Sequence, residues 1–254
     1  MGQYISSFLD DEIEFNKYGW KRDSPDHRDL FKIFESEETS LIVDLREQMP
    51  GIYNQKQIGS SVANAVAAAY EYNQIKIDDD HIFIPSKLFI YYNARKIENT
   101  TKYDAGAQIR NSIKTLNMNG ICSETKWNYH KNNLISKPND ECYVPIIPVK
   151  YFRIKQNLKS LKACLENQTC FIFGFSGYDN FKEISDDFIL HVPDKKEKYL
   201  GGHCALCVGF DAYKKVFIIR NSFGVEWGDN GYFYMTYDYL LNKGLCSDFW
   251  IIVN

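Results

Sequence analysis

The hydrophobic pattern of this chain changes period once, near Pro145. Upstream, SVANAVAAAYEYNQIK from Ser61 places Val62, Val66, Ala69 and Tyr70 at helical spacing, and further helical patterns run through Pro85 to Arg95 and Ala107 to Asn117. Ser60 or Ser61 is suited to cap the first helix, and its many alanines suit close packing inside a lobe. Downstream come short runs rich in aromatic and branched residues, namely VKYFRI, TCFIFGF, HCALCVGF, VFIIRNSF, GYFYMTY and DFWIIV, with one helix around Leu158 to Glu166. Clusters of Gly, Asp, Asn and Lys separate these runs, which predicts a largely antiparallel sheet. The expected class is α+β, with a helical lobe over about 50–145 and a sheet lobe over about 146–254. A chain of 254 residues can bury two such lobes, and a cleft between them is the natural binding site.

Residues 1 to 40 are polar, acid-rich and aperiodic, with a turn-like Ser24-Pro25-Asp26, and are expected to form an extension outside the main core. Met1-Gly2-Gln3-Tyr4-Ile5-Ser6 fits the N-myristoylation pattern, so Gly2 is a candidate acylation site, although no polybasic second anchor follows. A formal net charge of -3 gives no basic excess, which sets nucleic acid aside as a partner. No run approaches a membrane span and the N-terminus lacks the order of a secretory signal, so a non-secreted, intracellular chain is expected. Seven cysteines cannot all pair. Cys204 and Cys207 form a CxxC, but on a strand their odd separation sends the side chains to opposite faces, so buried structural thiols are expected rather than a metal or redox pair.

The runs HCALCVGF and VFIIRNSF read as a hairpin whose turn falls near Ala212 to Lys214. That hairpin brings His203 opposite or nearly opposite Asn221. The amide oxygen can then take a proton from one ring nitrogen and leave the other as a base. Ser61 heads a helix, where the dipole favours a developing anion, and Gln55 six residues earlier can supply an amide donor to an oxyanion. Taken singly, a His-Asn pair is more often structural, Ser61 reads equally well as a cap, and Gln55 as a loop residue.

Jointly these segments resemble the papain family of cysteine peptidases over about residues 42 to 254. Val43-Asp44-Leu45-Arg46 resembles the start of the mature enzyme, and Gln55 through Asn64 resembles the stretch from oxyanion glutamine into the nucleophile helix. Gly201-Gly202-His203 resembles the catalytic histidine segment, and Asn221-Ser222-Phe223-Gly224 with Trp227-Gly228 and Gly231-Tyr232 resembles the asparagine motif and its shielding tryptophan. The resemblance implies a papain-like two-lobe fold and hydrolysis of protein or peptide substrates by a Cys-His-Asn site. Its catalytic positions here are Ser61, His203, Asn221 and Gln55. Gly106, Gly202, Trp227 and Ser247 are implied to border the substrate, with Asp248 beside Ser247. No metal or organic cofactor is implied.

The sequence departs from the family at the nucleophile, where Ser61 replaces cysteine. A hydroxyl is far harder to ionise than a thiol, so this form is expected to be inactive. A cysteine-to-serine change made in a working enzyme is favoured because Gln55, His203, Asn221 and Trp227 remain. The alternatives are a natural pseudopeptidase that binds peptides or a partner, and a serine hydrolase using Ser61 and His203. The loop disulfide of secreted relatives is missing at both ends, at Ile58 and in Tyr103-Asp104-Ala105-Gly106, as expected for a reducing compartment. Tyr129-His130-Lys131 offers one histidine where the dipeptidase loop of cathepsin B has an adjacent pair, which favours endopeptidase action. The first forty residues are expected to act as a short regulatory segment near the cleft. The abundance of Asn, Lys, Ile and Tyr is compatible with the AT-rich genome of a parasite or large virus.

Overall fold

The computed structural model describes residues 17–35, 40–77, 82–143, 148–182 and 184–253. Gly2 and its acylation pattern lie outside the described residues. Helix α1 (Ser61–Lys76) is the centre of the molecule, and thirteen of its sixteen residues are buried, which means that it is enclosed on every side. The small side chains of Ala63, Ala65, Ala67, Ala68 and Ala69 permit this, because they let neighbouring backbones approach. One side of α1 meets α2 (Lys87–Ile97) and α3 (Ile109–Asn119), while the other meets the sheet lobe.

Both partner helices begin two residues later than the sequence pattern suggests. Ser86 caps α2 by accepting from Phe89 N, which fixes its first turn after Pro85. The start of α3 is displaced because Ala107 and Gln108 form strand β3 and pair in parallel with β1 (Trp20–Lys21). The expected serine cap of α1 is not formed. Ser60 occupies the cap position, but its hydroxyl meets Tyr129 Oη at 2.5 Å and Asn64 Nδ2 at 3.0 Å instead.

The second half supplies β4 (Lys150–Arg153), α4 (Leu158–Glu166), β5 (Phe171–Tyr178), α5 (Asp179–Lys182), β6 (Ile189–Leu190), β7 (Tyr199–Asp211), β8 (Val216–Arg220), β9 (Tyr232–Thr236), α6 (Tyr237–Leu241) and β10 (Cys246–Val253). Among the described residues an eight-stranded sheet runs in the order β4-β10-β5-β7-β8-β9-β6. Its eighth strand, β2 (Ile42–Asp44), pairs with the far end of β7. The pairings are antiparallel except β6 with β9, in keeping with the alternation of short runs and turns. The thirteen residues of β7 tie the sheet together, and α1 packs against it.

The N-terminal segment does not stay outside the core. Trp20 is buried within it, and Asp23 is buried at the edge of the sheet lobe. Asp23 N donates to Asp248 Oδ2 at 2.9 Å, and Trp250 Nε1 donates to Asp23 Oδ2 at 2.7 Å. Farther on, Leu30 and Lys32 exchange backbone bonds with Arg153. Aperiodic sequence hides this packing because residues 17–35 follow the surface of other elements and impose no repeat of their own.

Candidate active site

The β7–β8 hairpin carries the first half of the site. Its turn covers residues 212–215, and a register shift between Cys207 and Gly209 turns the open end. Continuing the pairing past Arg220 puts Asn221 two residues along from His203 on the same face. The side chains meet there, with His203 Nε2 and Asn221 Oδ1 2.9 Å apart. A carbonyl oxygen can only accept, so Nε2 holds the proton and Nδ1 carries the lone pair. Asn221 is fixed in turn by Ser222 N, which donates to the same oxygen at 2.8 Å, and by its own N–H on Gly231 O at 3.0 Å.

Aromatic rings enclose the imidazole. Phe223 stands 4.9 Å away, Phe181 5.1 Å, Phe175 5.4 Å and Tyr18 6.1 Å between ring centres. Burial pushes the imidazole pKa down to about 3, the Asn221 hydrogen bond opposes this, and the nearby charge of Lys17 adds to the depression. Trp227 packs on Phe181 at 5.4 Å and on Phe223 at 5.4 Å. It therefore braces the two rings that touch His203.

The first turns of α1 supply the other half. Asn64, Ala65 and Ala68 border one small cavity together with Cys204, Asn221 and Ser222, so the helix start and the hairpin share a boundary. Ser61 is fully buried. Ser61 Oγ and His203 Nδ1 are both buried without a hydrogen-bond partner among the described residues. Gln55 is oriented by Ser222, whose hydroxyl donates to Gln55 Oε1 at 2.6 Å, leaving the amide nitrogen as a donor. Tyr129 Oη donates to Gln55 O at 3.0 Å and reaches Ser60 Oγ, so this loop supports the turn leading to the helix.

Residues 17–21 of the same chain lie across these groups. Gln55 Nε2 donates to Lys17 O at 2.9 Å as well as to Ile58 O at 2.9 Å. Lys17 Nζ sits 3.5 Å from the centre of the Phe223 ring. Ala107 N donates to Gly19 O at 2.8 Å. A Cβ on Gly19 would fall 1.8 Å from Gly59 O, and one on Gly106 would fall 2.1 Å from Gly19 O. Gly106 also has φ +71°, so glycine is required there twice over. A Cβ on Gly202 would strike Trp20 O at 2.3 Å, and one on Gly174 would strike the indole at 1.9 Å. Trp20 thus fills a slot that exists because two strand residues lack side chains. Ser247 pairs with Gly174 at this slot, and its buried hydroxyl has no partner among the described residues.

A histidine oriented by an asparagine, a buried hydroxyl heading a helix that borders the same hairpin, and a positioned glutamine amide are parts that an acyl-transfer site needs. The profile described as papain family cysteine protease matches residues 40–248. The chain belongs to the papain family. An uncharacterized peptidase C1-like protein of Acanthamoeba polyphaga mimivirus is 35% identical over 276 residues, covering 96% of this chain and 89% of that one. The crystal structure of xylellain, a cysteine protease from Xylella fastidiosa, matches with TM-score 0.87 and 37% identity over 95% of this chain and 98% of that one. Digestive procathepsin L 3 of Tenebrio molitor larval midgut shares the fold, with TM-score 0.66 at 18% identity, over 89% of this chain and 75% of that one.

The α+β papain-like class expected from the pattern is the observed one. Hydrogen bonds link Gln55 to Ser222 and Asn221 to His203, Ser61 heads the helix whose next turn borders that hairpin, and Gly106, Gly202 and Ser247 lie along the path of residues 19–20. Sequence motifs did not reveal Ser222 as the partner of Gln55, Phe181 and Phe223 as the cover of His203, or Tyr129 as a brace. The Asn-Ser-Phe order was the one available signal, since it places a hydroxyl and a ring directly after the asparagine.

Proposed function

We propose that this chain is built for papain-type endopeptidase chemistry, that Ser61 at the cysteine position disables it, and that residues 17–23 block the cleft. The observation that carries the reading is the pair of buried, unpartnered atoms Ser61 Oγ and His203 Nδ1, beside an imidazole whose other nitrogen is held by Asn221. With cysteine at position 61, the thiol proton passes to His203 Nδ1 and the thiolate attacks the peptide carbonyl. The Gln55 amide and the backbone N–H of residue 61 receive the oxyanion, and His203 returns its proton to the leaving amine. Water then attacks the acyl-enzyme with His203 as base. With serine, the imidazole must deprotonate a hydroxyl in a site arranged for an ion pair, and the retained parts favour a cysteine-to-serine replacement in an otherwise intact peptidase.

The block is supported by Lys17 O on the Gln55 amide and by Tyr18 against His203. All seven cysteines are free and buried, which fits a reducing compartment. No helix among the described residues is long and apolar enough to cross a membrane. Protein or peptide substrates follow from the family chemistry.

The test is the Ser61→Cys chain, with and without residues 1 to 38, assayed on a fluorogenic peptide and by iodoacetamide labelling. Hydrolysis by the shortened form, and little by the full chain, is expected. No hydrolysis and no enhanced alkylation in either form would remove the peptidase reading. A natural pseudopeptidase is the second reading, favoured by the filled cleft; it requires that the shortened Ser61 chain bind peptides while its cysteine variant stays inert.

A further inference from the structure

We propose that Asp104 is a positioning residue, whose carboxylate ties the turn before Ser61 to the Gly106 wall of the cleft by hydrogen bonds. This rests on the peptidase reading above for its catalytic consequence, but not for its geometry. Gly59 N donates to Asp104 Oδ2 at 2.9 Å and to Oδ1 at 3.2 Å. Tyr91 Oη donates to Asp104 Oδ1 at 2.7 Å, and Gly106 N donates to Tyr91 Oη at 2.8 Å. Two backbone amides from separate segments therefore converge on one buried carboxylate, Gly59 N directly and Gly106 N through the Tyr91 phenol, with every donor and acceptor matched in sense.

The position of this link gives it its importance. Gly59 lies two residues before Ser61, in a turn where Ser60 N and Gln55 Nε2 both bond Ile58 O. Gly106 lies against the backbone of Gly19, where a Cβ would fall 2.1 Å from Gly19 O. The segment 103–106 is itself held from behind by Arg95, which donates to Tyr103 O at 2.5 Å and stacks over the Tyr91 ring. Ile58 and the stretch Tyr103-Asp104-Ala105-Gly106, where the resemblance to secreted relatives implies the two ends of a loop disulfide, are the segments that the Asp104 link joins. A charged acceptor bonded to a buried amide is among the stronger hydrogen bonds, and it survives reduction. Removing it leaves Gly59 N buried and unpaired, so the turn must shift to find a partner, carrying the nucleophile and the N–H of residue 61 with it.

The deciding experiment is amide hydrogen exchange on the full Ser61 chain, comparing Asp104→Ala, Asp104→Asn and Tyr91→Phe. Loss of protection of at least tenfold at Gly59 through Ser61 in Asp104→Ala, with substantial recovery in Asp104→Asn and unchanged protection in β7, is expected. Tyr91→Phe is expected to expose Gly106 more than Gly59. Unchanged protection at Gly59 in Asp104→Ala, or a uniform loss across both lobes, would overturn the assignment. In the Ser61→Cys chain, on a peptide substrate, Asp104→Ala should lower kcat about 100-fold with KM nearly constant, whereas Tyr91→Phe should chiefly raise KM. An unaltered kcat in Asp104→Ala would also overturn it. A Ser61→Cys parent with no activity would remove the peptidase reading and leave the exchange result to decide Asp104 alone.

Discussion

Gln55 donates its side-chain amide to the carbonyl oxygen of Lys17 across 2.9 Å, so the chain places one of its own peptide groups on the donor suited to an oxyanion. Under the proposed function the same side chain has two roles in sequence, first holding the segment and then serving the reaction. Replacing Gln55 by alanine in the shortened Ser61→Cys form should cost about 100- to 1000-fold in kcat. Single-turnover acylation measures this directly. In the full chain the same change should speed cleavage of the 17–23 segment by an added protease.

Gly19 has no room for a side chain. Gly19→Val should therefore expel residues 17–21, because its Cβ would meet Gly59 O well inside contact distance. Trp20 leaves its apolar slot in that event, and its fluorescence should shift to the red. An emission spectrum equal to the parent's would show that the backbone accommodates the methyl groups without release.

The pH dependence of closure follows from His203. Its pKa in the closed form lies near 3, against 6.5 for an ordinary imidazole, because of burial and then, after the opposing Asn221 bond, Lys17. The closed form must therefore exclude a proton that the open form accepts. Closure is at full strength above pH 6.5 and weakens as pH falls toward 3, by the part of the depression that Lys17 and burial under Tyr18 supply, since Phe175, Phe181 and Phe223 lie outside that segment. Asp23 acts in the opposite sense, since burial and the neighbouring Asp248 raise its pKa to about 6 and protonation favours its buried site. In the Asp23→Asn chain the His203 effect should stand alone, and limited proteolysis at residues 17–23 should accelerate steadily from pH 7 to pH 4.

Arg153 joins Asp29 at 2.8 Å, Asp248 at 3.3 Å and Asp23 at 3.4 Å. Removing one cation leaves three carboxylates facing each other with Arg110 as the remaining partner of Asp29. Arg153→Met should destabilise the chain by about 2–3 kcal/mol, a buried-pair loss discounted for the partial exposure of Arg153. Calorimetry should register a Tm lower by roughly 5–10 °C.

Most of the helices and strands were legible because each follows a period that its own residues impose. Leu158–Glu166 and Ser61–Lys76 carry the helical repeat, and the β7–β8 hairpin announces itself by two runs around a polar turn. His203 and Asn221 were legible for the same reason, since strand register brings them together. Trp20 and Asp23 were not, because their burial depends on glycines at 174 and 202 and on Asp248, all more than 140 residues away. Asp104 is not legible from sequence because a loop aspartate has many ordinary uses, and its partner amide lies 45 residues earlier.

Helix α1 is buried around nearly its whole circumference and packs against both halves of the molecule. Spreading the halves like jaws would wet that alanine-rich shaft on whichever side gave way. The gap between them is consequently of fixed width, and access is a matter of what lies in it. Evolution can then retune such a protein by editing a few residues of the peptide that lies in the gap, leaving the rigid walls untouched.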